Sequence, residues 1–485
     1  MFEWAPQLAM KRIMWAASTL WLGFLLLAII LTDNRSAIAS PLPTVRVRAI
    51  PAFARKYGMP CSACHEAWPK LSPFGQSFKD NGYQLMNDRD APIFQQPAYW
   101  PITFRMTPIW HRESINRVAV DGATPLSAEA QVTTHGFDWS GLDFHTGGTL
   151  AKNFSFYLLP SSDGTGAFHF ETVYARLDNL LGSSWLNVKF GKFELDNLHS
   201  EKRTLTLSAM GGGYQNYHFQ PPGEALYKFG IGDNQDGVEW LGHSKDDRTR
   251  LSASLLSAND GQPGLPTSRG YETFLAGSRA FEVGSLGLQR VGAFAYIGQA
   301  PTFFQFTQTG AGVPGTGIGN KGYYRAGLIG MWYIKKLDVT TMYFHGSDSA
   351  FLGTNTPANQ ALPTGARAPT WNGGLFETHY TLNPQFILIN RYELIRMSRQ
   401  AAPLIPGSIG LTTAPGSSII TGFPSSDFGN VDSLVFGYRY YPFISTRAGF
   451  AFHTEYAIVR QRRAAPVTGL DLTSSSLLFG FDFDY

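Results

Sequence analysis

Apolar and polar residues alternate along the C-terminal segment 476–485, and few folds can accommodate such a segment. Such a period-two pattern predicts a β-strand with one face toward an apolar medium and the other toward a polar one. Only Leu478 interrupts it, and the segment ends on an aromatic residue, which is typical of strands in a lipid-facing barrel. The apolar positions are Leu477, Phe479, Phe481, Phe483 and Tyr485, and between them stand Ser476, Gly480, Asp482 and Asp484.

The composition supports a barrel in lipid. Charged residues make up only 15% of the chain, against ~25% in an average soluble domain. Aromatic residues reach 14%, and there are 51 glycines. The mean hydropathy is slightly negative, which excludes a bundle of transmembrane helices. The net charge of +3 is too small to indicate nucleic acid as a partner.

Strand-like segments and their connections predict the topology. Similar alternating segments recur from near Ile102 onward, at 185–193, 248–256, 323–333, 386–394 and 448–456. Tight turns are predicted at Lys335–Leu337, Leu382–Pro384 and Tyr441–Phe443, and they alternate with the long stretches Gly298–Lys321, Ser347–Thr370, Ser398–Asn430 and Arg460–Leu472. Outer-membrane barrels have short periplasmic turns and long extracellular loops. We therefore predict a mainly β fold, an antiparallel outer-membrane barrel of about sixteen strands over 101–485, with its C-terminus in the periplasm.

The first residues predict export. Lys11 and Arg12 precede the uncharged run Ile13–Leu31, and Ala37-Ile38-Ala39 follows as a small-residue cleavage site. This is the layout of a secretory signal peptide over 1–39. The apolar run is longer than usual for such a peptide, so an uncleaved membrane anchor is the alternative.

Cys61-Ser62-Ala63-Cys64-His65 is a Cys-x-x-Cys-His motif, the attachment site of a c-type haem. Two thiols at this spacing can each bind one haem vinyl group, and the histidine that follows supplies the proximal ligand of the iron. Both cysteines of the chain lie in this motif, so no further cysteine is available for a disulfide or an iron–sulfur cluster. A redox Cys-x-x-Cys would need a thioredoxin-like βαβ pattern, and a zinc site would need a second ligand pair; the sequence shows neither.

The segment 40–100 carries this motif and is short for an independent core. Ser72 and Pro73 predict the start of a helix, and Asn81-Gly82 its end. Its aromatic residues can cover only part of a haem; they are Phe53, Tyr57, Trp68, Phe74 and Phe78. We therefore expect a small α-helical haem-binding segment that plugs or caps the barrel, in its mouth or lumen.

The distal ligand of the haem iron stays open. Met86 is the simplest candidate, because it lies in the same short segment as His65. Met59 is too close to Cys61 to reach the opposite face of the haem easily. His111, or another histidine that points into the lumen, is the alternative.

The pattern around the motif is longer than the motif itself. It reads Ala52-Phe53-Ala54-Arg55, then Cys61-x-x-Cys64-His65, then Pro69-x-Leu71-x-x-Phe74-Gly75-x-x-Phe78-Lys79-x-Asn81-Gly82-Tyr83. Followed by a porin-like barrel, it resembles the fused monohaem cytochrome–porin iron oxidases of acidophilic and other iron-oxidising bacteria. The resemblance covers the whole mature chain; the haem segment is specific, whereas the barrel is similar in length and pattern only.

This resemblance implies an iron(II) oxidoreductase of the outer membrane with one covalent haem c. Extracellular Fe(II) would be the one-electron donor, and a periplasmic blue-copper protein or a soluble c-type cytochrome the acceptor. Oxidising iron outside keeps Fe(III), which precipitates as pH rises, out of the cell. Composition and spacing do not identify iron as the donor.

Other functions remain open from the residues alone. A haem-containing porin for a small solute is one alternative, and a conduit that sends electrons outward to an external acceptor is another. Glu66, Asp482 and Asp484 offer oxygen ligands to iron. Solvated or ion-paired carboxylates are the more ordinary role for these three residues, so we assign none of them to an iron site.

Overall fold

The structure is a computed structural model that describes the chain in separate stretches. They are residues 53, 57, 59, 61–67, 70–83, 85, 102–119, 129–151, 153–162, 166–195, 198, 216–217, 231, 234–257, 271–301, 304–306, 312–314, 320–348, 370–383, 385–398, 430–444, 449–462 and 472–484. All of them belong to one compact unit, Arg48–Tyr485. The predicted signal peptide, 1–39, lies outside the described residues.

Sixteen long strands form one closed antiparallel barrel, as predicted. Each strand pairs with its neighbour in sequence, and the last pairs with the first, so the sheet has no open edge. The strands are β1 Ile102–Ala119, β2 Glu129–Ala151, β3 Phe154–Ser162, β4 Phe168–Leu177, β5 Asn187–Phe193, β6 Gln235–His243, β7 Thr249–Ser257, β8 Tyr271–Glu282, β9 Leu288–Pro301, β10 Asn320–Ile334, β11 Leu337–Asp348, β12 Thr370–Asn383, β13 Phe386–Met397, β14 Asn430–Ile444, β15 Gly449–Arg462 and β16 Leu472–Asp484.

Short and long connections lie at opposite ends of the barrel. Residues 335–336 and 384–385 are examples of the short ones, which together define the turn end. Residues 349–369 and 398–429 are examples of the long ones, which define the loop end. The alternation predicted from the sequence is therefore confirmed, and β1 starts at the turn end, where β16 finishes.

One predicted turn is wrong. Tyr441–Phe443 belongs to β14, which continues to Ile444 before the chain turns. The pairing of β14 with β15 shifts register between Tyr440 and Phe443. Pro442 lacks the backbone N–H that a regular ladder needs, and a bulge accommodates it without ending the strand.

The two faces of the barrel wall differ in polarity. Large apolar side chains stand exposed on the outer face, as expected in contact with lipid; they include Phe144, Phe190, Leu251, Leu275, Leu328, Tyr343, Phe376, Phe452 and Phe479. Many buried ionic groups lie on the inner face. Leu478, which interrupts the alternation of β16, points inward and packs with Ile109 of β1.

Two short helices precede the barrel. Helix α1 spans Cys61–Cys64, and helix α2 spans Pro73–Asp80. Between them the strands His65–Ala67 and Lys70–Leu71 form a small hairpin. Minor elements within the barrel connections are the hairpin Phe304–Phe306 with Gly312–Pro314 and the 3-10 turns Leu180–Gly182 and Gly284–Leu286. Within the described stretches, no helix has the length and apolar character needed to cross a membrane.

Candidate haem-attachment site and its support

The Cys-x-x-Cys-His motif lies on one helical turn and the hairpin after it. Cys61 and Cys64 are the first and last residues of α1, and His65 begins the hairpin. The backbone N–H of Ser72 donates to the carbonyl of Cys64 at 2.8 Å, and the Ser72 hydroxyl donates to the carbonyl of Ala63 at 3.1 Å. The hairpin thereby returns the chain to the motif. The side chains of Cys61 and His65 lie outside the described residues.

Helix α2 begins where the sequence predicts and packs directly against the motif. The Ser72 hydroxyl accepts a hydrogen bond from the Gly75 N–H at 3.1 Å, and Pro73 is the first helical residue. A Cβ at Gly75 would collide with the carbonyl oxygen of Cys64, so only glycine allows this close approach. The helix ends at Asp80, with Asn81 as its C-cap, and Gly82 follows with a φ of +71°.

These residues fit a c-type haem. Two thiols one helical turn apart match the spacing of the haem vinyl groups, and the histidine follows at once. Phe74 lies on the helix that packs against the motif, and 38% of its surface is exposed. An exposed aromatic ring beside the attachment turn offers an apolar contact for a haem face. Trp68, which we predicted to cover part of the haem, lies outside the described residues.

A cluster of four aromatic rings holds the segment together. Phe78, one helical turn beyond Phe74, is buried. The ring centroids of Phe53 and Tyr57 lie 5.1 Å and 5.4 Å from that of Phe78, in edge-on contacts. Tyr83 stacks on Phe53 at 5.0 Å, and the Tyr57 hydroxyl donates to the Tyr83 carbonyl at 3.1 Å. Tyr83 was part of the sequence pattern, but nothing in that pattern indicated its contacts.

Tyr83 joins this cluster to the inner wall of the barrel. Its ring stacks on Tyr157 of β3 at 5.8 Å, and its hydroxyl lies 2.9 Å from the hydroxyl of Tyr174 of β4. Burial raises the pKa of Tyr83 well above its ordinary value, and the neighbouring tyrosines add to this effect. The preceding Gly82 approaches Asp178, which pairs with Arg176 at 2.7 Å.

An ionic cluster fastens α2 to the connection between β6 and β7. Arg250, on the inner face of β7, forms ion pairs with Asp80 of α2 and with Asp247. Asp247 also accepts a hydrogen bond from Ser77 of α2. Burial alone would raise the pKa of Asp247, but the hydrogen bonds and charge of Arg250 outweigh it and lower the pKa below its ordinary value. A longer pair joins Lys79 to Glu194 at 3.5 Å.

The lumen toward the loop end contains apolar packing that the sequence analysis did not predict. A single cluster joins inward-facing residues of β5 and β7–β15 to residues of the β5–β6 connection. Asn216 of that connection donates to Glu393 of β13 at 2.8 Å and 2.9 Å and to the Gly374 carbonyl of β12 at 2.9 Å, so the connection spans the lumen. The members are Phe193, Leu195, Tyr217, Ile231, Leu256, Phe274, Phe294, Tyr296, Tyr323, Ile329, Met342, Phe344, Trp371, Leu375, Ile395, Met397, Val431 and Val459.

The remaining candidate residues are spread along the chain, and some lie outside the described residues. Met86 lies outside it, whereas Met59 is half-buried and His111 is a buried residue of β1. Asp482 pairs with Arg439 at 2.9 Å and with His453 at 3.5 Å, so it is an ion-paired carboxylate rather than an open iron ligand. The side chains of Glu66 and Asp484 lie outside the described residues. Among the residues that are described, no group of three or more His, Cys, Asp or Glu side chains is arranged to hold a metal ion.

Comparison with solved structures finds similarity to several outer-membrane proteins. An anion-selective porin from Comamonas acidovorans is 11% identical, with a TM-score of 0.46 over 79% of this chain and 99% of that one. A loop-deletion mutant of OmpT, an outer membrane protein of Vibrio cholerae, is 11% identical, with a TM-score of 0.44 over 79% and 99%. The outer membrane channel DcaP of Acinetobacter baumannii is 9% identical, with a TM-score of 0.44 over 79% and 97%.

No protein-family model matches the chain, and no curated protein matches it in sequence. The fold itself defines the class: a closed, sixteen-stranded antiparallel barrel with exposed apolar side chains on its outer face and a short helical segment packed on its inner wall.

Proposed function

We propose that this chain is an outer-membrane electron-transfer protein that oxidises extracellular Fe(II), one electron at a time, at a single c-type haem. Cys61 and Cys64 would hold the haem covalently, and His65 would be the proximal ligand of its iron. The electron would pass to a periplasmic copper protein or a soluble c-type cytochrome. The turn end faces the periplasm in this proposal, as short turns do in outer-membrane barrels.

One observation carries the proposal: the segment with the haem-attachment motif packs on the inner wall of the barrel rather than beside it. Tyr83 and α2 contact β3, β4 and β7 near the turn end. A cofactor on this segment would be held within the protein that crosses the membrane, where it could exchange electrons with both sides.

The bound haem would supply a one-electron couple. The chain's own residues would position it and limit its contact with water. Gly75 lets α2 support the attachment turn, and the aromatic cluster around Phe78 gives the segment an apolar core. The ionic cluster of Arg250 fixes the orientation of α2 relative to the wall.

A channel for small solutes is the second candidate, because the barrel is that of porins and the fold alone fits a channel better than an oxidase. The apolar cluster in the lumen argues for the first candidate. A hydrated solute would have to displace buried aromatic side chains and the Asn216 contacts to pass the loop-end half of the lumen. Porin lumens are polar and filled with water.

The test combines a redox and a transport measurement on the purified full-length protein. When the protein is mixed with Fe(II) in the absence of oxygen, the absorption bands of reduced c-type haem should appear rapidly. Liposomes that contain it should not swell in small sugars beyond protein-free liposomes. The control is the double variant Cys61→Ser/Cys64→Ser, which should retain neither haem after denaturing electrophoresis nor the Fe(II) response.

Different outcomes of this test would contradict the proposed Fe(II) oxidation. Solute flux without haem reduction would support the channel and reject the oxidase. Reduction only by a periplasmic donor, followed by transfer to an external acceptor, would support an outward conduit instead.

A further inference from the structure

Two groups of stacked aromatic residues line the inside of the barrel at different heights. The turn-end group consists of Tyr83, Tyr157 and Tyr174, in which the rings of Tyr157 and Tyr174 lie 5.8 Å apart. The loop-end group begins with Tyr296 of β9 and Tyr323 of β10, whose rings stack at 6.1 Å with an angle of 19°. All four wall tyrosines face inward.

Arg325 and Trp371 extend the loop-end group. The guanidinium carbon of Arg325 lies 5.2 Å from the ring centroid of Tyr323 and 4.6 Å from that of Trp371. Trp371, Arg325 and Tyr296 are among the largest fully buried side chains in the described part of the chain. The arginine is therefore held between two oxidisable rings.

The apolar cluster bridges the two groups. Tyr174 packs against this cluster. The Lys189 ammonium lies 5.4 Å from the ring centroid of Tyr174 and 4.4 Å from that of Phe193. Lys189 is paired with Glu239, so the bridge carries no uncompensated charge there. On the far side, the ring of Phe274 lies 6.1 Å from that of Tyr296.

The series covers most of the height of the wall. Tyr174 lies three residues before the end of β4 at the turn end. Trp371 is the second residue of β12, at the loop end. Trp371 and Tyr296 are members of the apolar cluster, and Tyr174 packs against it, so the cluster connects these two levels.

A buried carboxylate accompanies the loop-end group. Glu272 of β8 accepts a hydrogen bond from the Tyr296 hydroxyl on one oxygen and from the Tyr323 hydroxyl on the other. A tyrosine that loses an electron also loses its phenolic proton readily, and a hydrogen-bonded carboxylate can take it. The geometry gives both tyrosines a proton acceptor in place.

We propose that this aromatic series, from Trp371 through Tyr323 and Tyr296 to Tyr174 and Tyr83, is an electron relay between the loop end and the motif-bearing segment. It rests on the proposed function, which supplies the electron acceptor. In each turnover, Tyr323 or Tyr296 gives one electron toward the turn end, and its proton moves to Glu272. An external one-electron donor such as Fe(II) then returns one electron, and Glu272 returns the proton.

The relay follows from how the lumen is packed. A hydrated cation that moves from the loop end toward α1 meets the buried apolar cluster and the crossing Asn216 contacts. Electron tunnelling falls exponentially with distance, and intermediate oxidisable rings divide one long step into several short ones. The same packing that excludes the ion thus supplies the path for its electron.

The test uses full-length protein in lipid nanodiscs with its haem attached and reduced. A ruthenium photo-oxidant is tethered through the substitution Thr370→Cys, next to Trp371, and a laser flash creates a one-electron oxidant at the loop end. We expect a tyrosyl radical signal by electron paramagnetic resonance, followed by oxidation of the haem. In Tyr296→Phe/Tyr323→Phe the tyrosyl signal should be lost at these positions, and the rate of haem oxidation should fall by about tenfold, equivalent to ~1.4 kcal/mol on the barrier.

Two further variants make the result specific. Glu272→Gln keeps the shape of the side chain but removes the proton acceptor, so the tyrosyl signal should fall while the haem spectrum stays unchanged. Tyr441→Phe is the matched control, because Tyr441 is equally buried on the inner wall but lies on β14, outside the series. It should match the parent protein in both signals.

The relay and the proposed function fail in different ways. Haem oxidation at the parent rate in Tyr296→Phe/Tyr323→Phe would overturn the relay and leave the proposed function intact. A protein without attached haem, or whose haem does not respond to Fe(II), would overturn the proposed function and, with it, the relay.

Discussion

Gly75 is the residue at which α2 and the attachment motif come closest. The collision that a Cβ would make there is with the backbone of Cys64, both its carbonyl oxygen and its carbonyl carbon, rather than with a flexible side chain. The backbone cannot rotate away as a side chain can, so any larger residue must push α2 from the motif. This single position therefore couples the helix to the geometry of the attachment turn.

The substitution Gly75→Ala should loosen α2 from the motif at a cost of about 1–3 kcal/mol, the range for overpacking a filled site. We expect faster proteolysis of the segment before β1 and a lower yield of attached haem. Gly322→Ala is the control, since a Cβ there meets nothing within 4 Å. Equal protease resistance in the two variants would show that the contact between Gly75 and Cys64 does not hold the segment.

At the scale of elements, the docking of α2 on the barrel depends on charge. The aromatic cluster gives the segment an interior, while Ser77 and Asp80 of α2 meet Asp247 and Arg250 on the wall. Asp247 has a φ of +55°, a conformation that Asp and Asn tolerate better than most residues. An asparagine can therefore replace it without a change of backbone, which isolates the contribution of the charge.

The pH dependence of this docking follows from Asp247. Its pKa is lowered in the folded protein, so its contribution is complete above the unfolded value of about 3.9 and is lost as pH falls through the lower folded value. Hydrogen exchange of the α2 amides, corrected for intrinsic rates, should stay slow from neutral pH to about pH 4 and rise only in stronger acid.

The variant Asp247→Asn should weaken the docking at neutral pH by about 1.5–3 kcal/mol, as expected for hydrogen bonds to a charged group. The hydrogen exchange of the α2 amides in this variant should also depend less on pH in the acid range than in the parent protein. The neighbouring Asp246→Asn serves as the control, because Asp246 bonds Ser244 and Arg248 within its own turn. Exchange in Asp247→Asn that matched the parent at every pH would argue against this ionic contact.

At the scale of the whole molecule, the helical segment and the barrel share one interior. Tyr83 is buried, yet its stacking and hydrogen-bonding partners Tyr157 and Tyr174 belong to the wall. Without the wall, the ring of Tyr83 and one face of α2 would be exposed to water. The segment is also at the small end of what can support its own core.

Expressed alone with haem maturation, Ser40–Trp100 should therefore unfold at lower denaturant concentration than the same segment in the full chain. Loss of the tyrosine stack alone should cost about 0.5–1.5 kcal/mol. Haem absorbance followed through a guanidinium titration measures the difference, and the haem potential should differ as well. An isolated segment with the same midpoint and potential would mean that the barrel does not support the haem.

Features that depend on local pattern can be predicted from the sequence alone. Alternation predicts strands, connection length predicts which ends are turns, and Ser72, Pro73 and Gly82 predict the bounds of α2; the structure confirms each of these. The Cys-x-x-Cys-His motif is equally local, and its haem remains a prediction. The turn placed at Pro442 was wrong because a bulge can absorb a proline without ending the strand.

Which residues meet across the lumen depends instead on long-range contacts that the sequence pattern does not contain. Asp80 and Arg250 are 170 residues apart, and Asn216 and Glu393 are 177 apart. A period-two pattern states that a residue points inward but not which residue it faces, because that depends on the register of every strand and on barrel closure. The inner wall was expected to be polar, and its apolar cluster and stacked tyrosines arise because inward-facing side chains from many strands converge only once the barrel is closed.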